Sequence, residues 1–138
     1  MTLRSRLALI LVALSSAAVW AANAGATNGT LDITSIGNGR YALTADVFNT
    51  GYYPYGVDVA FRLWGDDEWY DDLLYTVPGT VFGNGWTGHI VRQFTVSGST
   101  LNEDWGSDEI YVEARLYDHH TGKLVLTLQT NRLYGSWS

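Results

Sequence analysis

An antiparallel β-sandwich is the fold class this sequence predicts, and three observations carry the prediction. Apolar residues alternate with polar ones in four clear segments, no segment carries a helical stripe, and Gly, Asn, Asp and Pro separate the alternating runs. The chain has no cysteine, so an apolar core and not a disulfide framework must hold the domain.

The chain opens with Arg4 and Arg6, an apolar run from Leu7 to Leu14, and small residues ending in Ala22-Asn23-Ala24. A positive start, an apolar stretch too short to span a bilayer and an A-x-A site predict a cleaved secretory signal peptide over 1–24, with Ala26 as the alternative cleavage position. Residues 25–138 are then expected to form a single β-sandwich domain that is secreted, periplasmic or at the cell surface. Loss of the leader removes two of eight basic residues and none of the fourteen acidic ones, taking the formal charge from -6 to -8. Six scattered cations make no basic patch, which excludes nucleic acid as an expected partner. No segment after the leader is apolar enough to span a membrane.

Leu31 to Ile36 is the first strand candidate. Tyr41, Leu43, Ala45 and Val47 then alternate with Ala42, Thr44, Asp46 and Phe48, as a strand with one buried face requires. Val57, Val59, Phe61 and Leu63 repeat the pattern against Asp58, Ala60, Arg62 and Trp64. Leu73 to Val77 and Ile90 to Val96 are weaker candidates, followed by the strong run of Ile110, Val112, Ala114 and Leu116. Leu124, Leu126 and Leu128 complete the series after Asp118-His119-His120-Thr121-Gly122, a hairpin in which Gly122 supplies a positive φ. About seven strands in one domain predict an immunoglobulin-like Greek-key sandwich.

That topology places alternate loops at opposite ends. One end would gather the acids of Asp66 to Asp72 with those of Glu103 to Asp108. The other would gather Tyr52, Tyr53 and Tyr55 with Phe82, Trp86 and all three histidines. Asn28-Gly29-Thr30 is an N-glycosylation acceptor in a host that glycosylates.

Five acids fall within the seven positions from Asp66 to Asp72, in a run that reads W-x-D-D twice. Carboxylates this close repel one another unless water, a cationic partner or a hard cation with several oxygen ligands separates them. Calcium is the cofactor this pattern points to, with Asp66, Asp67, Asp71, Asp72, Asp104 and Asp108 as candidate ligands. The alternative is a solvated acidic turn that blunts a strand edge. The segment Leu63-Trp64-Gly65-Asp66-Asp67-Glu68-Trp69-Tyr70-Asp71-Asp72-Leu73-Leu74 resembles the third calcium loop of synaptotagmin-type calcium- and lipid-binding domains. The resemblance covers about a dozen residues and implies Asp67 and Asp72 as ligands with Asp66 and Asp71 beside them. Gly65 stands where that pattern has its first Asp, and residues 49–56, where the family places further ligands, hold no acid.

Six Trp and nine Tyr offer flat, rigid contact area, and Tyr52, Tyr53, Tyr55 and Trp86 are the candidate ligand-binding residues. Carbohydrate stacking or contact with an extracellular protein surface would use such rings. Packing under the loops is the alternative. His89, His119 and His120 could ligate zinc or copper if the loops converge, although adjacent residues on a tight hairpin point to opposite sides. The chain has no G-x-S-x-G elbow, phosphate loop or dinucleotide fingerprint, and no carboxyl pair set apart in apolar context. The sequence therefore predicts a non-catalytic binding module with a calcium site. Its rivals are a carbohydrate-binding module and a secreted structural protein, interaction protein or inhibitor without a small ligand.

Overall fold

The structure is a computed structural model that describes residues 28–49, 51–67, 69–84, 88–102 and 108–137, without the side chains of Asn49 and Asp108. The expected signal peptide over 1–24 lies outside the described residues. Strands β1 (Gly29–Gly37), β2 (Arg40–Asn49) and β3 (Val57–Gly65) come first. They are followed by β4 (Asp72–Thr76), β5 (Val81–Gly83) and β6 (Gly88–Ser97). A short helix α1 (Gly98–Leu101) leads to β7 (Asp108–Asp118), β8 (Leu124–Gln129) and β9 (Leu133–Gly135).

These strands form two antiparallel sheets, one of three strands in the order β1-β2-β6 and one of six. In the larger sheet β3 and β7 lie side by side at the centre, with β4 and β5 in succession along the outer side of β3. β8 and β9 lie in succession along the outer side of β7. Each segment with predicted alternation is a strand, and the sandwich class follows. The two unforeseen strands, β5 and β9, have only three residues each, too few for a period to show.

The core lies between the sheets because alternation of period two sends every second residue inward. Along β3, Val57, Val59, Phe61 and Leu63 are fully buried, and Val112, Ala114 and Leu116 of β7 lie beside them. Leu31, Leu43, Ala45 and Val47 face them from the smaller sheet, and Leu101 of α1 and Trp137 close one end. Trp137 meets the Tyr41 ring edge-on at 5.8 Å, so the C-terminal aromatic belongs to the packing. The expectation of one buried face along Leu124, Leu126 and Leu128 holds at Leu128 and in part at Leu126, which packs against the core, but not at Leu124. A register irregularity between Leu116 and Tyr117 turns the start of β8 away from the core and leaves Leu124 exposed.

The gap between β8 and β9 ties the sheets together. Thr130 Oγ1 accepts from Val112 N at 2.9 Å, and Asn131 Oδ1 accepts from Leu31 N at 2.9 Å on the outer edge of β1. Leu31 is fully buried, so Asn131→Ala would strand its N–H away from water. The expected result is a loss of about 1–3 kcal/mol of unfolding free energy. A urea midpoint unchanged at constant m would contradict this account.

Strand registers settle which loops share an end. Val57 is opposite both Gly83 and Asp118, and Asn49 is opposite Gly88, which gathers the β2–β3 loop, the β5–β6 loop and the β7–β8 hairpin. Gly65 is opposite both Asp72 and Ile110, and Arg40 is opposite Ser97, which gathers the acidic β3–β4 loop with the start of β7. In the hairpin Gly122 has φ +75°, the conformation predicted for it.

Candidate functional sites at the two ends of the sandwich

At the acidic end the carboxylates of Asp66 and Asp71 have partners from the chain itself. Asp66 Oδ2 accepts from Arg132 Nε at 2.7 Å, while Asp66 N donates to Glu109 O at 2.8 Å. Asp71 Oδ2 accepts from the Tyr111 hydroxyl at 2.6 Å, and its Oδ1 accepts from Asp67 N at 3.4 Å. The Arg132 guanidinium also lies 3.9 Å from the centre of the Tyr111 ring and donates to Gln129 Oε1 at 3.1 Å. One cation thus neutralises Asp66, covers the ring of Tyr111 and crosses to β8. Asp72 opens β4 with its backbone opposite Gly65.

Burial, and then the hydrogen bond and charge of Asp71, push the Tyr111 phenol above its ordinary value and keep it a donor. Burial first, with the charge of Asp66 second, pushes the Glu109 carboxyl up, and Arg132 partly offsets this. A carboxyl whose folded pKa is raised costs stability when ionised, and that cost is relieved as pH falls through the folded pKa.

Asp104 lies outside the described residues, as does Glu68, and Asp108 is described only as the first backbone position of β7. Among the described residues no three or more Asp, Glu, His or Cys side chains are grouped to hold a metal ion. Trp69 and Tyr70, between the two acidic pairs, are 82% and 66% exposed.

The opposite end carries the aromatic loops. Tyr52 and Tyr55 are 57% and 61% exposed, and Phe82 from β5 joins them at 57%. Tyr53 instead packs against the core, and its carbonyl accepts from Gly56 N at 2.9 Å. Trp86 lies outside the described residues. Neighbouring rings in the sequence therefore divide into an anchor, Tyr53, and two that face solvent.

The histidines are built into this end through rings and carboxylates. His119 Nδ1 lies 2.8 Å from Asp58 Oδ2, and Phe82 meets its ring edge-on with centroids 5.0 Å apart. His120 stacks on Tyr55 at 4.6 Å. His89 Nδ1 lies 2.8 Å from Asp46 Oδ1, with Phe48 edge-on to it at 4.6 Å. The backbone N–H of Thr121, together with that of His120, holds the Asp118 carboxyl below its ordinary range and fixes the hairpin. That contribution is present above the unfolded pKa of Asp118 and is lost as pH falls through the folded one.

Sequence reasoning missed that His119 and His120 are partners of Phe82 and Tyr55. The available signal was register: Asp58 is opposite Phe82 on one side and Tyr117 on the other, two positions before His119. No family model, curated protein or solved structure matches the chain.

Proposed function

We propose that this chain is an exported, non-catalytic carbohydrate-binding module that holds its ligand at the aromatic end of the sandwich. The observation that carries the reading is the convergence of Tyr52, Tyr55 and Phe82, all more than half exposed, on one end of a rigid scaffold. Exposed rings lose water cheaply against the flat apolar face of a sugar and cost little rotamer entropy when they bind. Affinity electrophoresis through soluble polysaccharides tests it. Tyr55→Ala with Phe82→Ala is expected to weaken retardation by about tenfold or more, each ring contributing ~1 kcal/mol. Equal retardation of variant and parent would remove this end as the site.

Calcium that used Asp66 and Asp71 would have to displace Arg132 from the one and Tyr111 from the other. These internal partners favour the reading in which the acids brace the β3–β4 loop, so ligand binding is assigned to the other end. A thermal melt in chelator and then in millimolar calcium, with magnesium as control, is expected to show no calcium-selective rise. Ligand at a hundredfold excess over Kd stabilises the folded state by about 2.7 kcal/mol, or several degrees. A rise of that size, abolished by Asp67→Ala with Asp72→Ala, would place the functional site at the acidic end.

A further inference from the structure

Tyr55 and Phe82 each pair with an imidazole, and the two pairs meet at Gly56. The Gly56 carbonyl accepts from His119 N at 3.0 Å, and the Phe82 ring packs so closely that a Cβ on Gly56 would lie 2.5 Å from it. Tyr55 on His120 and Phe82 against His119 are thereby brought to the same glycine.

Asp58 fixes how His119 presents itself. The imidazole Nδ1 lies 2.8 and 3.0 Å from the two Asp58 oxygens. A carboxylate oxygen accepts, so Nδ1 carries a proton, and in a ring holding only that proton Nε2 is left as an acceptor. The His119 side chain is 53% exposed, with its Nδ1 edge against Asp58. Asp118 adds a second carboxylate in the same hairpin.

We propose that the glycan bound at this end is neutral. One sugar ring lies across Tyr55 and Phe82, His119 Nε2 accepts a hydrogen bond from a sugar hydroxyl, and Asp58 is the positioning residue for that imidazole. This rests on the carbohydrate reading above and adds the charge class of the ligand and the residue that selects it. A hydroxyl supplies the proton that Nε2 lacks. A uronate carboxylate in the same place would meet a lone pair and the charges of Asp58 and Asp118, so the site repels it while accepting the neutral sugar.

The test sets neutral polymers (hydroxyethylcellulose, glucomannan, galactomannan) against uronate polymers (polygalacturonate, alginate) in affinity electrophoresis. Retardation by at least one neutral polymer and by neither uronate is expected, with His119→Ala weakening the neutral interaction about tenfold. Long-range proton–nitrogen NMR of His119 should show a ring protonated at Nδ1 alone and a shift at Nε2 when a neutral oligosaccharide is added; an imidazolium in the free protein at pH 7 overturns the acceptor role. Asp58→Ala, which removes the acceptor, should lose both signatures while the far-UV spectrum stays unchanged. If neutral binding falls in Tyr55→Ala but not in His119→Ala, the role of His119 is overturned and the carbohydrate reading survives. Retardation by a uronate overturns the charge class, and retardation by no polymer overturns both readings.

Discussion

Phe61→Ala is expected to cost about 3–5 kcal/mol of unfolding free energy and to lower the melting temperature by on the order of 10 °C or more. Phe61 is fully buried on β3, between Val59 and Leu63 on the core face and opposite Ala114 of β7. The small side chain of Ala114 leaves the space that the ring fills, and with the ring gone no neighbour on that strand is large enough to close the void. The strand cannot shift to compensate, because β3 is flanked by β7 along its whole length and the Phe61 carbonyl accepts from Val77 N at 3.0 Å. A urea titration at constant m measures the loss. A cost below about 1 kcal/mol would mean that the site collapses around the cavity and that the central pair of strands is not rigid.

Gly56→Ala combines two penalties at one position. Gly56 has φ +83°, a left-handed conformation that costs an L side chain roughly 1–2 kcal/mol. Its new Cβ would also lie 2.6 Å from the Gly83 carbonyl oxygen and 2.5 Å from the Phe82 ring. The ring can swing aside, but the carbonyl belongs to β5 and is held by its pairing with β3. The expected loss is on the order of 3 kcal/mol, accompanied by weaker glycan retardation because Phe82 and His119 both rest on this residue. Combining Gly56→Ala with Phe82→Ala should restore only part of the stability, since the double variant relieves the ring and not the carbonyl. Full recovery would show that the β5 backbone is free to move.

The strands were legible because burial on one face imposes a period of two on the sequence, and Tyr41 to Val47, Val57 to Leu63 and Ile110 to Leu116 carry it, although Tyr111 on the other face is buried as well. The two-ended distribution of acids and aromatics followed from strand order alone, and for the described residues the registers of β3 with β4, β5 and β7 bear it out. The partners within each end were not legible. Nothing in Asp66-Asp67 signals that Arg132, far along the chain, will neutralise the first of them, because that contact depends on the break between β8 and β9. Tyr52, Tyr53 and Tyr55 look equivalent in sequence, yet only the middle one packs on the core. A loop's side-chain directions are set by its turn and not by a repeating pattern.

The division of both outer rows of the larger sheet into short pieces bears on behaviour at high concentration. β4 and β5 have five and three residues, and β8 and β9 have six and three, with irregular backbone between the members of each pair. A neighbouring molecule that tried to extend this sheet would find its hydrogen-bonding template interrupted before a fibril-forming register could be established. The same breaks that shape the two ends thereby limit polymerisation through the larger sheet, in a domain that has no disulfide to limit transient opening.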